Sequence, residues 1–342
     1  MTRGPVFVLG TQRSGTTWLA NIFDSHPGCL HYYEPFAPAY RIFPYFPHEF
    51  RYLVPPQREL AVRLRADLPR LLEVRSRLFD PVHETRRQFE SEAWLMGKLE
   101  SLGRRASTGA FRFAAQFNLV HLNRIGQHPV AWFAKGDIQL VAIKEVRLYF
   151  KAAFLASALP GASFVHVVRH PAAVVLSMDS FLKRGRLVEI RDHIGSMVET
   201  MGAQEVLARY APVLDRVRAG NLHDRLAAYW RVANEELAAQ LTALPGRAYP
   251  LVYEDLATDP LARTADMFAW CGLEMGRQTE DYIRGSSTSQ SARNTALDTN
   301  RVSATYYRDW VARVTPQVRD SVERICGDSP LMAQFEPFYR DA

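Results

Sequence analysis

Residues 5–28 of the chain read PVFVLGTQRSGTTWLANIFDSHPG, and this stretch decides the fold. Val6–Leu9 is a short apolar run rich in β-branched residues, which is typical of a buried strand, and Gly10 ends it. From Trp18 to Phe23 apolar residues recur at helical spacing, and Pro27-Gly28 ends that pattern. The stretch therefore predicts a strand, a tight loop and a helix.

The loop between this strand and helix has the composition of an anion-binding site. The unpaired N–H groups of the first helical turn point at the loop, and the helix dipole adds partial positive charge there. Arg13 supplies a full positive charge, while Ser14, Thr16 and Thr17 supply hydroxyl donors. The flanking glycines allow the backbone to wrap closely around a ligand.

The spacing of Gly10 and Gly15 matches the first part of a nucleotide P-loop, G-x-x-x-x-G. The Lys-Ser/Thr pair that should follow is replaced by Thr16-Thr17. The loop consequently lacks the lysine that binds the β- and γ-phosphates of ATP or GTP. A plain strand-to-helix turn is the alternative interpretation.

The segment QRSGTTW, residues 12–18, resembles the 5′-phosphosulfate-binding loop of sulfotransferases that use 3′-phosphoadenosine 5′-phosphosulfate (PAPS). In that family a Lys or Arg stands at the position of Arg13. The resemblance implies that PAPS is the co-substrate, that 3′,5′-adenosine bisphosphate (PAP) is the product, and that no metal is needed. It also implies the following PAPS-binding residues: Arg13, Ser14, Gly15, Thr16, Thr17 and Trp18.

A second stretch, SFVHVV at residues 163–168, predicts another strand, followed by Arg169-His170-Pro171 and a helix from Ala172 to Phe181. This unit resembles the family's 3′-phosphate-binding motif, which implies that Arg169 and Ser177 bind the 3′-phosphate of PAPS. A guanidinium group suits this role because it can bind a phosphate through two parallel hydrogen bonds. His170 replaces the more common Asp.

Glu34 follows a predicted second strand, Cys29–Tyr33, beside the anion loop. In tyrosylprotein and carbohydrate sulfotransferases a glutamate in a similar position is proposed as the general base, and the resemblance implies this role for Glu34. The alternatives are a surface Glu-Pro turn, or His31 as the base.

Lys144 ends another predicted strand, Ile138–Lys144, at the carboxyl end where α/β folds place ligand-binding groups. The family has a strand ending in lysine near the transferring sulfuryl group. The resemblance implies that Lys144, together with Arg13, stabilises the charge on that group. A strand-end lysine that reaches into solvent is the alternative.

Two later segments also resemble the family. Gly285–Thr295 reads as a polar loop similar to the loop that closes over the cofactor, with Ser287 as the best match and Arg293 as a second one. Tyr253–Leu256, YEDL, follows a predicted strand, and we expect its carboxylates to cap a helix near Pro260.

In residues 36–135 we recognise no motif of the family. The chain is rich in aromatics and prolines between residues 32 and 52, which predicts a loop held by aromatic packing. Such a loop could stack on sugar rings or on an aromatic acceptor, and the alternative is that it only covers the core. The following residues are helical in composition and rich in arginine. We interpret 36–135 as an acceptor-side insertion in a single sulfotransferase domain covering 1–342.

Composition limits the function only broadly. The net charge of +6 and pI of about 9.3 suit acidic ligands, but no zinc-finger or RNA-binding motif indicates nucleic acid. The three cysteines are too scattered for a disulfide framework or a metal site. Without a signal peptide or an apolar run long enough for a membrane span, we expect a cytoplasmic protein of undetermined oligomeric state.

Together these patterns predict an α/β fold, a P-loop-like three-layer sandwich. Its parallel sheet has about five strands, near residues 6, 30, 141, 166 and 250, and an inserted helical subdomain. The predicted function is sulfuryl transfer from PAPS to a hydroxyl of a saccharide or other bulky acceptor. The alternatives are a P-loop small-molecule kinase and a non-catalytic module that binds a nucleotide or polyanion.

Overall fold

A computed structural model of the protein describes residues 4–37, 43–78, 137–183, 188–288 and 302–339. At its centre lies a five-stranded sheet in the order β2-β3-β1-β4-β5, and each neighbouring pair is parallel. The strands are β1 (Val6–Leu9), β2 (Cys29–Tyr33), β3 (Leu140–Glu145), β4 (Ser163–Val168) and β5 (Ala248–Val252). The predicted α/β fold and its five strands are confirmed, with β1, β2 and β4 at their predicted bounds.

Helices connect the strands and continue to the end of the described chain. They are α1 (Thr16–Ser25), α2 (Arg58–Leu78), α3 (Ala152–Ala158), α4 (Pro171–Lys183), α5 (Val188–Gly202), α6 (Ala211–Arg218), α7 (Leu222–Thr242), α8 (Tyr253–Thr258), α9 (Pro260–Cys271), α10 (Arg277–Thr288), α11 (Ser303–Tyr306), α12 (Pro316–Cys326) and α13 (Glu336–Tyr339). Short 3₁₀ segments cover Glu205–Tyr210 and Met332–Phe335.

The sheet is buried on both faces, as the continuous apolar strands require. Phe7 and Leu9 of β1 point into one hydrophobic cluster, and Val6 and Val8 point into the other. The first cluster includes residues of α2, α3, α4, α7 and α12, and the second includes residues of α1, α8, α9 and α10. The layers are therefore helix, sheet and helix, as predicted.

The described part of the predicted insertion packs onto the first of these clusters. Phe36 stacks on Phe43 with ring centroids 4.4 Å apart, and Phe50 lies edge-on to Tyr229 at 6.3 Å. Leu64 of α2 is fully buried in the same cluster. Aromatic packing thus holds residues 43–53 against the core, and most of the predicted insertion, residues 79–135, lies outside the described residues.

Two local predictions were wrong. The first four residues of the expected polar loop, 285–288, are helical and belong to α10, because Ile283 and Ser286 share its buried face; the rest of that loop lies outside the described residues. The carboxylates of the YEDL segment lie within α8, and α9 is capped instead by Asp259, whose side chain accepts a hydrogen bond from the Ala262 N–H at 3.1 Å.

Across the described ranges, no helix is both long enough and apolar enough to span a bilayer.

Candidate active site

The predicted site residues meet at one edge of the sheet. The anion loop follows β1, Glu34 follows β2, Lys144 lies near the end of β3, and Arg169 follows β4. Since the strands are parallel, their carboxyl ends share this edge. The edge is therefore where charged side chains can act on one ligand.

Both glycines of the anion loop are required by the backbone. A Cβ on Gly10 would lie 2.6 Å from the carbonyl oxygen of Val167, so a side chain there would collide with β4. Gly15 is the N-cap of α1 with φ of 95°, and a Cβ there would lie 2.3 Å from the ring of Tyr253. The loop therefore packs tightly between β4 and the start of α8.

The polar side chains of the loop have different partners. The hydroxyl of Ser14 donates to the carbonyl of Thr11 at 2.6 Å and so closes the turn within the loop. Thr16 is buried in the first turn of α1, and the hydroxyl of Thr17 is hydrogen-bonded to Tyr33. The first helical turn thus combines its backbone N–H groups with a threonine that reaches β2.

The two predicted phosphate-binding motifs form one site. Arg13 Nε donates to Ser177 Oγ at 2.9 Å, and the Arg13 guanidinium lies 4.1 Å from the ring centroid of Phe181. A terminal nitrogen of Arg169 lies 3.4 Å from the Arg13 carbonyl oxygen. Trp230 Nε1 donates to the Arg169 carbonyl at 2.9 Å and fixes the backbone at this point.

The site concentrates positive charge away from water. Burial, followed by the charge of Arg169, lowers the pKa of Arg13 to about 10. The Arg169 guanidinium lies 4.5 Å from the ring centroid of Tyr253. Its Nε is buried and makes no hydrogen bond with any described residue. Arg169 is buried and Arg13 is half-buried, and because their positive charges repel each other, an anion between them would be favoured.

Glu34 has a strained backbone and two cationic partners. Its φ is 46°, and its N–H donates to the Lys144 carbonyl at 2.8 Å. One carboxylate oxygen accepts from Lys144 Nζ, and the other accepts from Arg147 at 2.8 Å. Arg147 also pairs with Glu49 at 3.1 Å. Burial would raise the pKa of Glu34, but Lys144 and then Arg147 outweigh burial and hold it well below its usual range.

Lys144 is buried, so the alternative interpretation, a strand-end lysine that reaches into solvent, does not hold. Its side chain is 2% exposed, and its Nζ lies 4.2 Å from the ring centroid of Tyr33. Burial lowers its pKa, but Glu34 and Tyr33 reverse that effect and raise it. The alternative base, His31, is buried within β2 and lies before the edge that Glu34 occupies.

Two of the remaining predicted cofactor residues, Trp18 and Ser287, lie at the contact between α1 and α10. Trp18 Nε1 donates to Ser286 Oγ at 3.1 Å, which joins α1 to α10, and Ser287 is buried beside that contact. Arg293 lies outside the described residues. Whether Ser287 contacts a cofactor stays a prediction.

Sequence reasoning missed several residues of the site. Tyr253 is the first residue after β5. A residue directly after a parallel strand can reach the ligand edge of the sheet, and the same reasoning that singled out Glu34 could have indicated Tyr253. Arg147 lies three residues after Lys144, and no role was predicted for it from the sequence. Tyr33 and Phe181 carried no signal, because their contacts depend on tertiary packing. The described residues contain no group of three or more His, Cys, Asp or Glu side chains suited to a metal ion.

A comparison with protein families agrees with this geometry. The family model described as "Sulfotransferase family" matches residues 5–224, which include both phosphate motifs, Glu34 and Lys144. This chain belongs to the sulfotransferase family. It is accordingly a transferase, and sulfuryl transfer is its general reaction class.

Several solved structures are similar to this sulfotransferase. They include the sulfotransferase domain from the curacin biosynthetic pathway, with 15% identity and a TM-score of 0.45 over 95% of this chain and 98% of that chain. The sulfotransferase domain of the Synechococcus PCC 7002 olefin synthase has 17% identity and a TM-score of 0.38, over 95% of both chains. Mouse sulfotransferase SULT7A1 complexed with PAP has 11% identity and a TM-score of 0.40, over 99% of this chain and 89% of that chain. Among curated protein sequences no significant match is found.

Proposed function

We propose that this sulfotransferase moves a sulfuryl group from PAPS to a hydroxyl of a saccharide or another bulky acceptor. The observation that carries the proposal is the close placement of half-buried Arg13 and buried Arg169 beside the first turn of α1. A ligand with anionic groups at both ends of one nucleoside would neutralise both arginines, and PAPS has that charge distribution. An ordinary nucleoside triphosphate carries its charge at one end.

In this proposal the donor lies along the carboxyl edge of the sheet. The N–H groups of the first turn of α1 and the hydroxyls of Thr16 and Thr17 bind the 5′-phosphosulfate. Arg169 and Ser177 bind the 3′-phosphate. The Arg13–Ser177 hydrogen bond of 2.9 Å supports this assignment, because it brings both motifs within reach of one small ligand.

The chemistry is an in-line displacement at sulfur. The acceptor oxygen forms a bond to sulfur, the bond from sulfur to the phosphate oxygen breaks, and the acceptor proton passes to Glu34. Lys144, Arg13 and the loop N–H groups stabilise charge on the sulfuryl oxygens and the departing phosphate, which leaves as part of PAP. A sulfuryl group carries less negative charge than a phosphoryl group, so cationic side chains can do this work.

The acceptor class rests on the segment that follows Glu34. Phe36 comes two residues after Glu34, and its ring packs on Phe43 and Phe46. Phe36 and Phe43 are buried in the core, whereas Tyr45 and Phe46 are partly exposed at the edge of this cluster, and partly exposed rings suit the flat faces of sugar rings or other bulky compounds.

A ligand-binding experiment separates the proposal from a P-loop kinase. We expect PAP to raise the melting temperature of the protein, and ATP with Mg²⁺ to raise it much less. The opposite ranking would support a kinase. Incubation with ³⁵S-labelled PAPS and a panel of saccharide and phenolic acceptors then separates an enzyme from a binding module, because only an enzyme labels an acceptor.

Replacing Arg169 tests the 3′-phosphate assignment. Arg169→Ala should weaken PAP binding on the order of 10- to 100-fold, since a hydrogen bond to a charged group contributes about 1.5–3 kcal/mol. The exposed Arg319→Ala on α12 removes the same charge elsewhere and serves as the matched control. Equal PAP affinities of the two variants, measured by calorimetry, would contradict the assignment.

A further inference from the structure

Tyr33 connects Glu34, the proposed base, to the anion loop, which in our proposal binds the donor. We propose that Tyr33 is a positioning residue through which donor binding draws Lys144 away from Glu34, so that the carboxylate can accept a proton only when the donor is bound. This inference rests on the proposed function and adds to it a coupling between donor binding and the base.

An unbroken path of contacts supports the coupling. Tyr33 is the last residue of β2, and its hydroxyl is hydrogen-bonded to Thr17 in the first turn of α1 and to Lys144. The Lys144 amine lies 4.2 Å from the Tyr33 ring centroid and pairs with Glu34. Thr17, Tyr33, Lys144 and Glu34 therefore form one chain from the anion loop to the carboxylate.

The two cations that hold Glu34 are anchored differently. Arg147 is fixed between two carboxylates, Glu34 at 2.8 Å and Glu49 at 3.1 Å. Lys144 has the flexible four-carbon stem and compact charge of a lysine, and its Tyr33 partner also contacts the donor loop. An anion at the first turn of α1 competes directly for the Thr17 hydroxyl and for the Lys144 charge. Lys144 is therefore the cation that can move, and Arg147 is the one that stays.

Movement of Lys144 from Glu34 to the donor, called the exchange below, changes how strongly Glu34 binds a proton. A carboxylate paired with two cations is a weak base, because its pKa lies far below that of any acceptor hydroxyl. Loss of one neighbouring cation raises a carboxyl pKa by about 1–3 units. Donor binding would thus turn Glu34 from a structural ion-pair partner into a competent base.

Other titratable groups near Glu34 are not expected to take up a proton when Lys144 moves away. Burial, and then the charge of Glu34, raises the pKa of Glu145 to about 8, so it stays protonated in acid. Arg147 and Tyr33 have raised pKa values and also stay protonated there. Glu49 faces the cluster through its ion pair with Arg147, which is retained in the exchange. Glu34 is therefore the carboxylate of this cluster that gains a proton when Lys144 leaves.

Calorimetry can measure this proton directly and needs no acceptor. PAPS is titrated into the protein near pH 5 in two buffers of different ionisation enthalpy, which gives the number of protons taken up on binding. We expect the wild type to take up more protons than Glu34→Gln, by up to about half a proton, because a carboxyl pKa of about 2 that rises by about 1–3 units reaches at most about 5. The titration of the donor phosphates is common to both proteins and cancels in the difference. PAP, which lacks the sulfuryl group, should give a smaller difference.

Tyr33→Phe tests the connecting residue. The variant keeps the ring but loses the hydroxyl that joins Thr17 to Lys144, so its proton uptake should fall towards that of Glu34→Gln. Tyr249→Phe on β5 removes a hydroxyl away from the site and should behave as the wild type. If Glu34→Gln does not fold, Lys144→Met can replace it in the comparison. Without the lysine no cation leaves Glu34 when PAPS binds, so Lys144→Met should take up fewer protons than the wild type.

Three results would each contradict a different part of these proposals. PAPS binding with equal proton uptake in the wild type and Glu34→Gln would overturn the coupling. Full uptake in Tyr33→Phe would remove Tyr33 from it. If neither PAPS nor PAP bound the wild-type protein, the proposed function would be wrong before the coupling was reached.

Discussion

Glu34 has an unusual backbone conformation that the residues beside it in the sequence do not explain. A non-glycine residue with φ of 46° is strained, and such strain persists where surrounding contacts over-determine the conformation. Here the contacts are the backbone bond to Lys144 and the ion pairs of the carboxylate with Lys144 and Arg147. The carboxylate is thus held at a fixed point beside the anion loop, as a general base needs to be.

Replacing this carboxylate should separate catalysis from binding. Glu34→Ala should lower kcat by about 10² or more, the usual magnitude for a general base, while PAP affinity does not fall. Labelled-PAPS turnover and PAP calorimetry on the same preparation measure the two quantities. His31→Asn is the comparison, because His31 is the alternative base. Normal turnover by Glu34→Ala with a loss in His31→Asn would reverse the assignment.

Positions at strand ends could be predicted from sequence, but side-chain directions could not. Apolar runs followed by Glu34, Lys144 and Arg169 were enough to expect these residues at one edge, since parallel strands end together. The direction of Arg13 depends on Ser177 and Phe181, which are more than 160 positions away along the chain. Only the tertiary packing of α4 against the loop determines that contact.

Among the secondary-structure elements, strands were easier to predict than helix ends. Continuous apolar runs give β1 and β4 their exact predicted bounds, because both faces of the sheet are buried. The end of α10 was mistaken for a loop, because Gly285 and the serines after it disfavour a helix locally. Burial of Ser286 against Trp18 overrides that preference.

Lys151 ties the segment before α2 to the turn before α3. Its fully buried amine donates to the carbonyls of Glu49 and Arg51 at 2.8 and 2.9 Å. Burial lowers its pKa to about 7, although Glu49 and Glu145 oppose the shift. The unfolded chain, with an ordinary lysine, therefore binds more protons than the folded one from about pH 7 to about pH 10.5.

This difference predicts how stability depends on pH. Because the unfolded state binds more protons in that window, the free energy of unfolding should rise with pH there, by at most about 1.4 kcal/mol per unit from this group. Lys151→Met should lack that contribution, so the wild type gains stability relative to the variant between pH 7 and pH 9.5. Urea unfolding at both pH values measures the gap, and parallel pH profiles would show that the buried amine keeps an ordinary pKa.

At the scale of the whole molecule, residues 310–339 pack against the backbone that carries Arg169 in the proposed donor site. Trp310 stacks on His170, the neighbour of Arg169, with ring centroids 4.5 Å apart. Tyr339 accepts from Trp310 Nε1 at 3.1 Å, and its hydroxyl lies 3.1 Å from Glu254. These residues, apart from His170, lie beyond the span that matches the family, residues 5–224. Contacts between such distant positions leave no local pattern in the sequence, which is why Trp310 and Tyr339 were not expected here.

Tyr339→Phe should therefore weaken the donor site from a distance. Glu254 is buried and accepts from the His170 N–H at 3.1 Å, which holds the backbone next to Arg169. Without the Tyr339 hydroxyl the Glu254 oxygen keeps the His170 donor but loses its second one, at a cost of about 0.5–1.5 kcal/mol for a typical hydrogen bond. We expect a lower melting temperature and a several-fold weaker PAP affinity, measured by calorimetry, whereas Tyr249→Phe should leave PAP affinity unchanged. A loss of stability with wild-type PAP affinity would mean that this cluster supports the fold alone, and that the donor site is complete without the end of the chain.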